Sequence, residues 1–206
     1  MARYRGPREK LSRREGVELF LKGERLAAGK SALERRPYPP GEHGYTRQRQ
    51  SEYRLQLREK QKAKRYYGVL ERQFRRYFDQ STREPAATGE NLLRRLERRL
   101  DNVLYRMGLA STRAQARQFV SHGHVQVNGR KTDRPSYAVE PGDVITFKPG
   151  DRVEPAVRAA TDLVARVPPW LLADHDTLTG RVERLPERDE IDVPVSEQLI
   201  VELYSK

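Results

Sequence analysis

Leu92, Leu93, Leu96, Leu100, Val103, Leu104 and Met107 recur at the three- and four-residue spacing of one helix face. The stretch ENLLRRLERRLDNVLYRMG therefore predicts one continuous amphipathic helix, strongly basic on its other face and ending at Gly108. STRAQARQFVSHG predicts a second helix, with Thr112 and Gln115 at capping-box spacing, Ser111 as the alternative cap, and Gly123 closing it. The pattern then turns to strands. HVQVNGRK carries Asn128-Gly129, a strong hairpin signal, and SYAVEPGDVITF offers a further strand pair around Pro141-Gly142. Strands are also expected around PWLL (169–172) and LTGRVERL (178–185), and a short tail helix in SEQLIVELYSK, capped by Ser196.

Upstream, residues 47–80 read as helix with a pause at Gly68, after which Leu70, Phe74, Tyr77 and Phe78 share a face. LSRREGVELFLKG predicts a short helix with Ser12 as N-cap, Gly23 just past its end, and Val17, Phe20 and Leu21 on one side. RRPYPPGEHG can be neither helix nor central strand, because its three prolines fix φ and remove amide donors. It predicts an extended segment that packs on a partner.

Charge sharpens this picture. Residues 1–99 hold 27 Lys and Arg against 13 Asp and Glu, a net of +14, whereas residues 100–206 hold 14 against 16, a net of −2. A basic arm on a near-neutral remainder is the electrostatic footprint of a nucleic-acid binder. With no cysteine there is neither a disulfide framework nor a thiolate metal site, which fits a reducing cytosol. No apolar run is long enough to cross a bilayer, and MARYRGPREK lacks the apolar segment of a secretory signal.

The candidate chemistry is recognition of phosphate. Arg113 and Arg117 lie four residues apart and so share a helix face. If the hairpin folds back on that helix, Arg130 and Lys131 complete a positive patch, and planar guanidinium donors suit pairs of phosphate oxygens. His122 and His124 lack a third ligand for a metal, so contact of His122 with phosphate or base is the better reading, with a helix-end capping histidine as the plain one. Asp101 is read as a helix-surface carboxylate that orients a neighbouring arginine. Tyr4, Tyr38, Tyr45 and Tyr53 lie in the basic half, where rings stack either on unpaired bases or in a core.

RLDNVLYRMGLASTRAQARQFVSHGHVQVNG closely resembles the RNA-binding module named after the bacterial small-subunit ribosomal protein S-four. RRPYPPGEHG, LREKQKAKRYYGVLERQFRRYF and EQLIVELYSK resemble the same family in the same order, so the likeness covers nearly the whole chain. It implies an α+β fold: a basic N-terminal extension (1–45), a discontinuous helical domain (46–91 with 191–206), and an inserted RNA-binding domain (92–190) of two helices and a small antiparallel sheet. It implies a non-enzymatic, cytoplasmic protein of the small ribosomal subunit that binds 16S-type ribosomal RNA early, holds a 5′-domain junction and nucleates 30S assembly. The implied neighbours are ribosomal proteins S-five and S-three and the mRNA near its entry, with no membrane and no small-molecule substrate. Family members with a zinc site use four cysteines where this chain has Glu9, Ser12, Leu26 and Ser31, so the resemblance is to the zinc-free form and no cofactor is expected.

The residues expected to meet RNA are Arg3, Arg5, Arg13, Arg14, Arg35, Arg36, Tyr38, His43, Arg47 and Arg49 in the basic half, and Arg113, Arg117, His122, Arg130 and Lys131 in the module. Residues 150–206 carry a net charge of −5, which points that part toward protein, with Glu197 and Glu202 as outward carboxylates beside the packing residues Leu199, Ile200 and Leu203. Two other classes are weaker. A modifying enzyme needs a catalytic domain for which no residues remain, and a DNA-binding helix-turn-helix does not explain the hairpin that follows directly.

Overall fold

The computed structural model describes residues 3–46, 49–148, 150, 152–163 and 166–205. The chain divides into two compact units, Met1–Leu93 with Asp192–Lys206, and Arg94–Ile191. Residues of the basic extension belong to the first unit.

The first helix, α1 (Glu9–Glu15), ends sooner than the apolar pattern predicts. Gly16 adopts the left-handed conformation (φ 69°) and returns its N–H to Ser12 O at 2.9 Å, which stops the helix before Val17. Ser12 is therefore inside the helix and is not its cap. Short helices α2 (Gly23–Ala27) and α3 (Ala32–Arg35) follow. The proline segment ends in a 3-10 turn at Glu42–Tyr45.

Helices α4 (Glu52–Tyr66) and α5 (Glu71–Ser81) flank Gly68, as the pause predicts. Ser51 caps α4 by accepting from Arg54 N at 3.3 Å. Phe74 and Phe78 on α5 are buried, and their rings stack on Tyr204, with centroids at 6.4 and 4.5 Å.

The leucine-rich stretch is two helices, not one: α6 (Thr88–Glu97) and α7 (Leu100–Arg106). Arg99 between them is extended (φ −68°, ψ 135°) and bridges Ala138. Val139 N donates to Arg98 O and Leu100 N donates to Tyr137 O, both at 2.9 Å. Backbone groups that would close a helical turn are thus used by residues 137–139, which also explains why SYAVEPGDVITF yields one strand rather than a pair. The apolar stripe survives the break: Leu92, Leu93, Leu96, Leu100, Val103, Leu104 and Met107 are all fully buried.

Helix α8 (Arg113–Ser121) is capped by Thr112, whose side chain accepts from Gln115 N at 3.1 Å. Gln115 Oε1 reaches back to Ser111, accepting from its N–H and its hydroxyl, both at 2.7 Å. Strands β1 (Val125–Val127), β2 (Arg130–Lys131) and β3 (Val144–Phe147) follow, then α9 (Glu154–Thr161), β4 (Leu171–Asp174) and β5 (Thr179–Val182). All neighbours in the sheet, ordered β2-β1-β3-β5-β4, pair antiparallel. In that register Val125, Val127, Ile145, Phe147, Leu171 and Val182 share the buried face. They join Trp170, Phe119, Val120 and the α7 residues in one core.

The chain closes with α10 (Glu197–Tyr204) in the first unit. Ser196 occupies its N-cap position, but the side chain makes no capping bond; its N–H donates instead to Glu59 Oε2 at 3.0 Å. The fold is α+β, with a mostly helical part and an antiparallel sheet.

Candidate nucleic-acid interface

The basic N-terminal residues fall into two groups. Arg13 and Arg14, expected to meet RNA, hold the proline segment, although Arg14 remains exposed. Arg13 Nε donates to the carbonyls of Arg36 (3.2 Å) and Tyr38 (3.1 Å), and Arg14 Nη2 donates to Pro40 O at 2.7 Å. An extended proline-rich chain cannot bond to itself, and these guanidiniums supply the missing donors. Arg3, Arg5, Arg35, Arg36, His43 and Arg49 are exposed to solvent. Tyr38 is half-buried, with the Arg13 guanidinium 4.8 Å from its ring centroid. Arg47 lies outside the described residues.

Ser12 and Ser31, two of the four positions that the sequence likeness sets against cysteine, are joined by a carboxylate. Their hydroxyls donate to Glu18 Oε1 (3.3 Å) and Oε2 (3.0 Å). Glu9, a third such position, pairs with Arg25 at 2.7 Å. Glu18 thereby ties α1 to the start of α3 with hydrogen bonds. Glu15, its side chain wholly buried, ties α1 to α4 through Arg65 and Arg58.

In the module the expected positive face is turned inward. Arg113 and Arg117 are buried (6 and 9% exposed) and do not join Arg130 and Lys131 on one open patch. Arg113 Nε donates to Asn102 Oδ1 at 2.7 Å, and its guanidinium lies 4.2 Å from the centroid of the Tyr105 ring. Arg117 Nη1 is 3.4 Å from Asp101 Oδ2. Asp101 is itself buried, contrary to its reading as a surface carboxylate, and takes two bonds from Arg99. Glu97 accepts from Asn102 Nδ2 (2.7 Å) and from both Arg106 Nε (3.0 Å) and Nη2 (2.7 Å). The reason is packing: α7 and α8 bury facing sides that contain charge, and buried charge has to be paired. The partners Glu97, Asn102 and Arg106 were missed from sequence. The available signal was three polar residues, Glu97, Asp101 and Asn102, set within a run of leucines.

Of the module residues expected to meet RNA, His122, Arg130 and Lys131 are open to solvent. Lys131 runs across Gly123, where a Cβ would sit 2.2 Å from its Cε. The His122 and His124 ring centroids are 6.1 Å apart.

In the helical unit the two carboxylates expected to face outward are engaged. Glu202 Oε2 accepts from Gln56 Nε2 on α4 at 3.0 Å, and the Glu197 side chain covers Gly89 on α6. Glu71 has stronger company. Burial alone would raise its pKa, but hydrogen bonds from Lys60, Lys64 and Tyr204 outweigh that and lower it to about 2. Burial and the bond to Glu71 push the Tyr204 hydroxyl up.

This module of two helices running into a hairpin matches the S4 domain model over residues 98–145, which makes the chain an S4-domain protein. The preceding residues 3–97 match the model of the ribosomal protein S4/S9 N-terminal domain. The chain is 58% identical to small ribosomal subunit protein uS4 of Natranaerobius thermophilus and 55% identical to that of Rubrobacter xylanophilus, over the full length of both partners in each case. It is 56% identical to protein uS4A of Symbiobacterium thermophilum, again end to end. The chain belongs to the uS4 family of small ribosomal subunit proteins, which are ribosomal proteins and not enzymes.

Proposed function

We propose that the chain is a structural component of the bacterial small ribosomal subunit, working in the cytoplasm by binding 16S-type ribosomal RNA. The observation that carries this is the set of exposed cations, Arg3, Arg5, Arg35, Arg36 and Arg49, in a half-chain of net charge +14. Phosphate neutralises such a surface with release of counterions. His43, His122, Arg130 and Lys131 are the remaining contacts, while Arg13, Arg14, Tyr38, Arg113 and Arg117 act mainly by shaping the surfaces that carry them. Two surfaces on one chain fix the geometry of an RNA junction through joint affinity. On this reading the protein binds a 5′-domain junction early and nucleates assembly of the subunit. It neighbours ribosomal proteins S-five and S-three, and it contributes to the mRNA entry region and to accuracy. Footprinting the purified chain on small-subunit ribosomal RNA tests this. Protection concentrated in one 5′-domain junction is expected, and uniform weak protection along the RNA, or equal affinity for duplex DNA, overturns it.

A further inference from the structure

Two side chains from separated positions, Arg13 and Tyr45, meet the ring of Tyr38. The Arg13 guanidinium lies 4.8 Å from the Tyr38 ring centroid, and the Tyr38 and Tyr45 centroids are 4.1 Å apart, with planes tilted by 32°. The local chain is built to hold this arrangement. Gly41 turns with a φ of 116° that a side chain would resist, and a Cβ on Gly44 would lie 2.2 Å from Pro39 O and 3.2 Å from Tyr38 Cδ2. Arg13 also bonds the carbonyl of Tyr38, so the inner ring is fixed from its backbone as well as its face. The outer ring is different: Tyr45 is 78% exposed. A ring this exposed contributes little to a core. Tyr66 and Tyr67 show the contrast, since they meet edge to face and are buried.

We propose that Tyr45 is the stacking platform for one unpaired base of the RNA, held by its contact with Tyr38, which Arg13 fixes in turn. The assignment rests on the RNA-binding reading above and adds a site to it. Stacking on a free aromatic face is sequence-tolerant, because every base has a π-face, and it selects single-stranded over paired nucleotides. Cations are close in sequence on both sides, at Arg35, Arg36 and Arg49, to meet the flanking phosphates. Charge alone would bind duplex and single strand alike, whereas the ring confers the preference.

The test uses the full chain, small-subunit ribosomal RNA, and the same RNA carrying 5-iodouridine, which crosslinks to aromatic rings on which it stacks. Tyr45→Ala should bind about 5- to 100-fold more weakly, the range for loss of one stacked base. Tyr45→Phe, which keeps the ring and loses only the hydroxyl's hydrogen bond with Tyr38, should bind much closer to the parent than to the alanine variant, and Tyr45→Leu, apolar but without a π-face, should bind like the alanine variant. The slope of log affinity against log salt should stay the same in all three, since no charge changes. Irradiation should attach Tyr45 to a nucleotide that is unpaired in the RNA. If Tyr45→Ala binds as tightly as the parent, or if crosslinks avoid Tyr45 while reaching other residues, the platform is wrong and RNA binding stands. Failure of the parent itself to bind the RNA overturns both.

Discussion

Arg99 and Asp101 meet through two hydrogen bonds inside the protein, Nε to Oδ1 at 3.0 Å and Nη2 to Oδ2 at 2.6 Å, with each residue at most 3% exposed. The pair sits where α6 gives way to α7, and Arg117 approaches the same carboxylate at 3.4 Å. Removing the carboxylate leaves buried guanidinium without its countercharge. Asp101→Ala should therefore cost about 3–5 kcal/mol, the range for breaking a buried pair from one side. Trp170 is the only tryptophan, is 1% exposed and lies in this unit, so its fluorescence during urea unfolding reads the loss. A change under about 1 kcal/mol would show that the pair does not hold the turn.

Arg113 brings a second consequence of inward-facing charge. Its Nε bond to Asn102 and its place on the Tyr105 ring are both lost on truncation, so Arg113→Ala should destabilise the unit by about 2–4 kcal/mol. Arg113→Lys should recover little, because an ammonium lacks both the planar face and the fixed Nε donor. Any weakening of RNA binding should then follow the unfolded fraction. A variant that unfolds like the parent yet binds RNA less well would instead return Arg113 to the interface.

The contrast between these arginines and the leucines around them shows what the sequence carries. The helix stripe from Leu92 to Met107 follows from spacing, and so do the Asn128-Gly129 hairpin and the strands near 171 and 180, because period and turn chemistry are local. The break at Arg99 is not local: it depends on residues 137–139, nearly forty positions away, taking the backbone bonds. The direction of Arg113 is hidden for the same reason. A positive face at spacing four looks alike whether it meets water or the acceptor Asn102, and only the packing of α7 on α8 decides. No element is expected from the sequence over residues 150–168, where α9 lies, although Pro155 in the first turn is itself a helix-start signal.

The Glu71 cluster makes stability depend on acid. Its pKa is about 2 in the folded chain against an ordinary 4.5, so the unfolded chain takes up the proton first as pH falls. The stabilisation is complete above pH 4.5 and is lost as pH falls toward about 2. Glu15 works the other way, because burial outweighs Arg65, Arg58 and Lys62 and raises its pKa, so acid favours the folded form at that site. Glu71→Gln should thus be less stable than the parent at pH 7 and indistinguishable from it near pH 2 (Glu15 is present in both chains and cancels). Urea midpoints by far-ultraviolet circular dichroism give the comparison; a gap that stays constant across that range contradicts the assignment.

Glu202 makes a prediction about α10. Its bond to Gln56, which is 5% exposed, reaches a buried amide, so Glu202→Ala should lower the stability of the helical unit by about 1–3 kcal/mol. Glu202→Gln, which keeps an acceptor, should lose less. Affinity for naked ribosomal RNA should change by less than about twofold while the chain stays folded, since the site lies on an acidic segment. Hydrogen exchange over α10 measures the first effect and a binding titration the second. A large RNA defect in a fully folded variant would put this carboxylate near the nucleic acid.

Salt dependence separates cations that meet phosphate from those that hold the fold. Arg3, Arg5, Arg35 and Arg36 are exposed, whereas Arg13 and the likewise exposed Arg14 bond main-chain carbonyls. Each phosphate contact contributes about 0.7–0.9 to the slope of log affinity against log salt. Replacing the four exposed arginines with alanine should therefore flatten the slope by up to about 3.6, with the fold intact because none of the four side chains is buried. Arg158→Ala supplies the control: that residue is exposed but pairs with Glu154 at 2.9 Å within the acidic part of the chain, and its loss should leave the slope alone. Arg13→Ala should behave differently from both, because it frees the proline segment and removes the guanidinium that meets the Tyr38 ring. Its binding defect should appear at every salt concentration, with little change in slope. Equal slopes for the parent and the fourfold variant would mean that these arginines are solvated surface and that the contacts with phosphate lie elsewhere.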